Sequence, residues 1–279
     1  MLPALGLAPF GVYVLLFLAL PTGLAIATGF VDGEGQPTLD NLAALADPVI
    51  LTTFGNSIWL SALTALIGAI IGAAACYALL ESRPDGVLRT IVDSVSGVLA
   101  QFGGVMLAFA FVTLIGVQGL LRVILLDRFG IDIYADGVWL YEVPGLVLPY
   151  VYFQVPLMII VFLPALAALK PQWAEAAATL GGTRAIYWWR IGIPVLAPSF
   201  TGALLLLFAN AFSSYATAAA LTSQGQGIVP LQIRAALTSE TVLGRENLAG
   251  ALALGMIVVM AVVMALYSLL QRRAARWQR

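Results

Sequence analysis

Six runs of roughly twenty predominantly apolar residues divide this chain, at about 10–30, 56–80, 96–116, 145–168, 196–222 and 248–270. About twenty such residues is the length an α-helix needs to cross a hydrocarbon layer of about 30 Å. Lipid offers no water to a bare N–H or C=O, so a spanning segment must pair its backbone internally, as a helix does. The runs therefore predict an all-α membrane protein with six transmembrane helices in a single domain, residues 1–279. The composition points the same way, with 61% hydrophobic residues and 10% charged, against about 25% charged in an ordinary soluble domain.

Several chemistries fall away on residue types alone. There is no histidine, which removes imidazole ligands, imidazole bases and a Ser-His-Asp triad. The single cysteine, Cys76, sits in an apolar run and makes neither a disulfide framework nor a cysteine metal site. No GxxxxGK[ST] loop is present, so the chain is not expected to hydrolyse ATP itself. The net charge is −1, and no basic run suggests nucleic acid. The expectation is a non-enzymatic chain with no catalytic residue, metal or cofactor of its own.

The first run competes with a secretory signal. Its flank, MLPALGLAP, carries no Lys or Arg, and the run exceeds the roughly 7–15 residues of a signal core, so it reads as a retained helix. Arg122, Asp127 and Arg128 interrupt the apolar stretch Val117–Tyr134, which is expected to lie at the membrane surface. The fourth run holds Pro149, Pro156 and Pro164, compatible either with simple kinks or with a helix bent around a pathway. With the N-terminus in the cytoplasm, the inner segments hold nine basic residues: Arg83, Arg89, Lys170, Arg184, Arg190, Arg272, Arg273, Arg276 and Arg279. The outer segments hold four: Arg122, Arg128, Arg234 and Arg245. Basic loops favour the cytoplasmic side, so both termini are expected inside.

The loop between the fourth and fifth runs, residues 170–195, contains EAAATLGGTRAIYWWRIGIP (Glu175–Pro194). Pro171 suits a first helical turn. Glu175, within about a turn, faces the positive end of the helix dipole. Trp173, Ala176, Ala177 and Leu180 recur at helical spacing. Gly181-Gly182 permits a turn that a residue with a Cβ resists. A second short amphipathic piece follows, with Pro194 expected to close it. Such a helix–turn–helix either offers small residues to another protein's groove or rests on the inner leaflet on Trp188, Trp189, Arg184 and Arg190.

The spacing of Glu175-Ala176-Ala177, three residues, Gly181, nine residues, Ile191, one residue, Ile193-Pro194 resembles the EAA signature of binding-protein-dependent ABC importer permeases. Ile193 stands where that pattern has Leu. Thr38–Ser57, ahead of the second run, also looks like the family, so the resemblance covers nearly the whole chain. It implies a type I ABC importer permease bundle in the bacterial cytoplasmic (inner) membrane. It also implies that Glu175, Ala176, Ala177, Gly181, Ile191 and Pro194 couple the chain to an ATPase. The implied partners are two copies of an ABC ATPase subunit carrying ATP and Mg, a second permease subunit, expected as a heterodimer, and an extracytoplasmic solute-binding protein. Closure of the ATPases would then rock each packed bundle between discrete arrangements. A Gly181→Trp chain should fold yet fail to dock its ATPase.

Polar side chains inside spans are costly and tend to face the bundle interior. The pathway candidates are Asn56, Gln154, Asn210, Ser213, Ser214 and Tyr215, with Ser57, Ser61, Thr64, Gln101, Thr113 and Thr217 beside them. Interhelical hydrogen bonding is the competing role for each. The segments Thr222–Pro230 and 231–247 are candidates for a gate or for a binding-protein dock. No Asp or Glu falls in the middle of a predicted span, and Asp93 lies at the start of the third. That argues against a proton-coupled secondary carrier, the principal alternative. The look of the fifth run and of VPLQIR is nearest to spermidine/putrescine permeases. The phosphonate, sulfate, iron, thiamine and sugar branches share the layout and remain open.

Overall fold

The computed structural model describes residues 2–80, 82, 86–222, 227–238 and 247–276. Arg83, Arg245 and Arg279, used above for orientation, lie outside them, as do residues 223–226 and 239–246 of the proposed gate segments. Among the described residues every regular element is a helix, joined by turns and loops, with an isolated antiparallel bridge between Val31 and Pro37. Among the described residues, six helical stretches are long and apolar enough to cross a membrane: Leu7–Thr28, Pro48–Leu79, Gly104–Phe129, Val143–Ala167, Arg184–Phe212 and Leu248–Leu269.

Three boundaries differ from the sequence expectation. The second span, helix α2 (Pro48–Leu79), starts earlier than residue 56. Asp47 caps it, its Oδ1 accepting the Val49 N–H at 2.9 Å, and Pro48 fills the first turn, where a missing N–H costs nothing. The expected third span, 96–116, is two helices, α3 (Val87–Gln101) and α4 (Gly104–Ile115), separated at Phe102–Gly103. The third apolar stretch instead runs from α4 into helix α5 (Leu120–Phe129), so part of the expected surface segment is continuous with it. The fifth span begins at Arg184 rather than 196. It is one helical run, α8 (Arg184–Phe212), with a π-helical stretch at Trp188–Gly192.

The chain forms two compact units. One comprises residues 1–56 and 225–262. It holds α1 (2–28), with a π stretch at Leu15–Ala19, together with α10 (Val229–Thr238) and the first half of α11 (Leu248–Arg276). Ile50, Val229, Leu248 and Leu252 are its core. The Asn247 amide donates to the carbonyls of Val31 and Asp32, both at 2.9 Å, tying the turn after α1 to the start of α11. There the backbones touch: a Cβ on Gly29 would stand 2.7 Å from the Ala251 nitrogen. None of the Leu7–Thr28 window of α1 is buried.

The other unit comprises residues 57–224 and 263–279. Helix α6 (Val147–Ala167) is its axis, packed on α3 and α8, while α4 packs on the short helix α9 (Ala216–Leu221). Pro156 and Pro164 sit inside α6 without ending it. Span two approaches α6 through Gly68 and Gly72, a G-x-x-x-G pair of the kind that lets membrane helices pack closely. A Cβ on Gly68 would lie 2.5 Å from the Gln154 Cβ, and one on Gly72 would lie 2.6 Å from the Met158 Cβ.

A stapled loop follows α5. Arg122 grips Asp132 through two N–H···O bonds of 3.0 Å, and the Tyr134 N–H donates to the same carboxylate at 3.0 Å. The Arg122 hydrogen bond and that backbone N–H together hold the Asp132 carboxyl below its usual range.

Candidate functional site

The loop 170–195 folds as a capped elbow. Helix α7 (Pro171–Thr179) starts on Pro171 and stops at Leu180. Gly181 then turns left-handed at φ +77°. The Gly181 N–H donates to the Ala178 carbonyl at 3.0 Å, and the Gly182 N–H reaches back to the Ala177 carbonyl at 2.8 Å. This pair of bonds is a Schellman cap, whose left-handed position disfavours any residue with a Cβ. Beyond the turn, the Thr183 hydroxyl accepts from the Ile186 N–H and starts the return helix.

The tip is open. Glu175, Ala176, Thr179 and Gly181 are exposed, Ala177 is half-buried, and Leu180 is an apolar side chain 88% exposed among the described residues. A Cβ on Gly181 would meet nothing within 4 Å. Glu175 lies past the first turn, so its closeness to the helix dipole is less than the sequence suggested. Ile191 and Pro194 are not part of the tip. They belong to α8, where Pro194 opens a helical stretch that continues to Phe212 instead of closing a short one. The return helix is fastened to the end of span two. The Arg184 Nη2 donates to the Tyr77 hydroxyl at 3.0 Å, the guanidinium lies 5.8 Å from the centre of that ring, and the Trp188 ring meets Tyr77 edge-on at 5.2 Å. Residue types alone did not single out Tyr77, because its partners lie about a hundred residues away.

The polar candidates divide. Asn210, Ser213 and Ser214 line one cavity of about 290 Å³, together with Gln101, Gly103, Gly104 and Thr217. The cavity lies where two helices break: α3 gives way to α4 at Phe102–Gly103, and α8 gives way to α9 at Ser213–Tyr215. The two breaks are bonded, the Gly104 N–H donating to the Thr217 Oγ1 at 2.9 Å. The buried Tyr150 hydroxyl donates to the Ser214 carbonyl at 2.9 Å. Discontinuous helices of this sort bring backbone polar groups to membrane depth only where they are buried in protein or line a wet space.

The remaining candidates lie elsewhere. Asn56 belongs to the other unit, where its amide donates to the Gly227 carbonyl at 3.2 Å. Gln154 is wholly buried between helices; its Nε2 donates to the Leu207 carbonyl at 2.8 Å, and its Oε1 has no hydrogen-bond partner among the described residues. Tyr215 is 36% exposed and is not one of the cavity's lining residues. Thr64 and Thr113 bond the carbonyls of their own helices. Gly103-Gly104 and Tyr150 were missed. The glycine pair was a readable signal for a break, whereas the role of Tyr150 depends on a contact 64 residues away.

The bond across the breaks is testable in isolation. Thr217→Val keeps the shape of the side chain and removes the acceptor, leaving the partly buried Gly104 N–H unpaired. It should lower the stability of the purified chain by about 1 kcal/mol in thermal unfolding, with Thr217→Ser restoring it.

No family model matches this chain. Among solved structures, it superposes on a subunit of a bacterial ABC transporter that imports the acidic polysaccharide alginate, with a TM-score of 0.74, 19% identity, and coverage of 98% of this chain and 95% of that one. The MetNI methionine ABC transporter in an inward-facing conformation matches at a TM-score of 0.58 and 13% identity, over 82% of this chain and 99% of that one. Its curated relatives include the spermidine/putrescine transport system permease protein PotB of Haemophilus influenzae, 22% identical over 91% of this chain and 89% of that protein. The ferric transport system permease protein FbpB of Actinobacillus pleuropneumoniae is 24% identical over 72% of this chain, and a putative FbpB 1 of H. influenzae is 22% identical over the same share. The chain spans about a third of the length of these two ferric relatives, at 31% and 29%.

The fold is thus that of an ABC importer transmembrane subunit, carried by six membrane-crossing apolar helices. In sequence the chain is related to transport-system permeases, and it is a multi-pass protein of the bacterial inner membrane.

Proposed function

We propose that this chain is the transmembrane permease subunit of an ATP-driven ABC importer and forms half of a pathway for a small solute handed over by a binding protein. The observation that carries this reading is the Schellman-capped elbow, whose exposed Leu180 and small residues Ala176, Ala177 and Gly181 form a tip that an ATPase groove can grip. The tip faces the cytoplasm, following the distribution of basic residues. ATP and Mg are held by two ATPase subunits, and a second permease, in a heterodimer, completes the pathway. Movement of the tip passes through Arg184, Tyr77 and Trp188 to spans two and five, and so towards the cavity at the paired breaks. Within this chain, solute would pass Asn210, Ser213 and Ser214.

The relatives' named solutes are spermidine/putrescine and ferric iron, both cationic. The cavity meets a cation with neutral oxygens from Gln101, Asn210, Ser213 and Ser214 and with no carboxylate among its lining residues. This suits passage rather than tight capture and leaves selection to the binding protein. Polyamine is our preferred solute, because the polyamine relative is matched over nearly its whole length.

Reconstitution of the chain with its ATPase, second permease and binding protein tests this. Loaded binding protein should stimulate ATP hydrolysis and solute entry together. Proton-driven uptake by the purified chain alone would establish the secondary-carrier reading instead.

A further inference from the structure

The last turns of α2 and α6 and the first turns of α8 enclose a cleft of about 370 Å³. Tyr77, Phe162, Leu166, Trp188, Leu196 and Phe200 wall it, and no charged side chain lines it. Charge stands at its mouth. The Arg184 guanidinium is seated on the Tyr77 ring and bonded to its hydroxyl. An apolar slot walled by rings, with the Arg184 guanidinium and the Trp188 indole at one end, matches a lipid molecule standing in one leaflet.

We propose that this cleft binds one acyl chain of an anionic phospholipid, whose phosphate is held by Arg184. Planar guanidinium groups suit phosphate oxygens geometrically. Tyr and Trp favour the headgroup level of a bilayer. Basic pockets between membrane helices on the cytoplasmic side take anionic headgroups from a leaflet that is itself negative. The inference rests on the cytoplasmic placement of the elbow argued above. A lipid seated there touches the return helix of the elbow and the ends of spans two and four at once. Its occupancy therefore sets how firmly the elbow is joined to the bundle.

The test uses the full chain, extracted in mild detergent, exposed to equal amounts of phosphatidylglycerol and phosphatidylcholine, and weighed intact by native mass spectrometry. No nucleotide or ATPase is needed, so the outcome is independent of whether the chain transports anything. Wild type should retain phosphatidylglycerol at least tenfold over phosphatidylcholine. Ala197→Phe, which fills the cleft, should lower retention of both lipids about fivefold or more. Arg184→Gln should keep a bound lipid while erasing the preference. Ala73→Leu, on the opposite wall, repeats the first variant should Ala197→Phe not fold, with helicity by circular dichroism as the control. Equal retention of the two lipids by wild type would overturn the proposal. So would phosphatidylglycerol retention unchanged in both variants, or a lipid-free dimer in which a second copy fills the cleft.

Discussion

Replacing Gly181 with tryptophan should leave the helices folded and remove ATP-driven uptake. Two features of the elbow separate these effects. The position is left-handed, at φ +77°, which costs an L-residue roughly 1–2 kcal/mol. That strain is local, because a Cβ there meets nothing within 4 Å and the indole can stand in solvent. An ATPase groove shaped to a glycine turn has no such room. Losing an anchoring contact of about 2 kcal/mol weakens docking about 30-fold. Co-purification of the ATPase subunits should fall accordingly and uptake should be lost, while the circular dichroism and the elution volume of the chain stay unchanged. Gly181→Ala should fall between, since it carries the backbone strain without the bulk. Wild-type uptake by the tryptophan variant would remove the elbow from the coupling path.

The second large effect is on folding. Gly68→Leu drives a Cβ to 2.5 Å from the Gln154 Cβ and 3.3 Å from the Gln154 carbonyl carbon, neither of them the end of a flexible side chain. Span two must then move away from α6, exposing the buried Gln154, whose amide is bonded to Leu207. Overpacking a close helix contact costs about 1–3 kcal/mol, and this site lies at the upper end because backbone and Cβ give way least. A 3 kcal/mol loss changes the folded-to-unfolded ratio by about a hundredfold. The expected readout is a large drop in thermal stability in detergent and in folded yield. A neighbouring change that keeps the glycine, Ile67→Leu, should be nearly neutral. Unchanged unfolding of Gly68→Leu would mean that the two helices do not meet at this glycine.

Hydropathy revealed the six crossings because burial in lipid demands length and apolarity, which are local properties of the chain. It placed their ends poorly where local capping chemistry decides. Asp47-Pro48 lengthens span two, and Thr183 starts span five a dozen residues early. The breaks at Phe102–Gly103 and Ser213–Tyr215 were both read through because a window of span length averages over so short a polar stretch, although Gly103-Gly104 carried a conformational signal. The spacing of the elbow was legible because a Schellman cap is a short-range motif: Ala177, Gly181 and Gly182 occupy fixed offsets. Pro194 misled because a proline usually stops a helix. The cavity was only half legible. Asn210, Ser213 and Ser214 share a short stretch, but Gln101, Gly104 and Thr217 join them through folding, and Gln154 and Asn56 find partners elsewhere.

The π stretch at Trp188–Gly192 explains how Pro194 is tolerated. The Ile193 N–H reaches back five residues to the Trp188 carbonyl, so the ladder is already widened where the proline removes a donor. One surplus residue sits in that turn. Shifting the surplus by a single position re-phases only the residue it passes, by about 100°, the angle per residue of an α-helix, and leaves the two flanking stretches in their mutual register. Such a step would re-aim single side chains of the Trp188–Gly192 turn while Phe200 and Asn210 keep their facing, so span five carries a local swivel rather than a hinge.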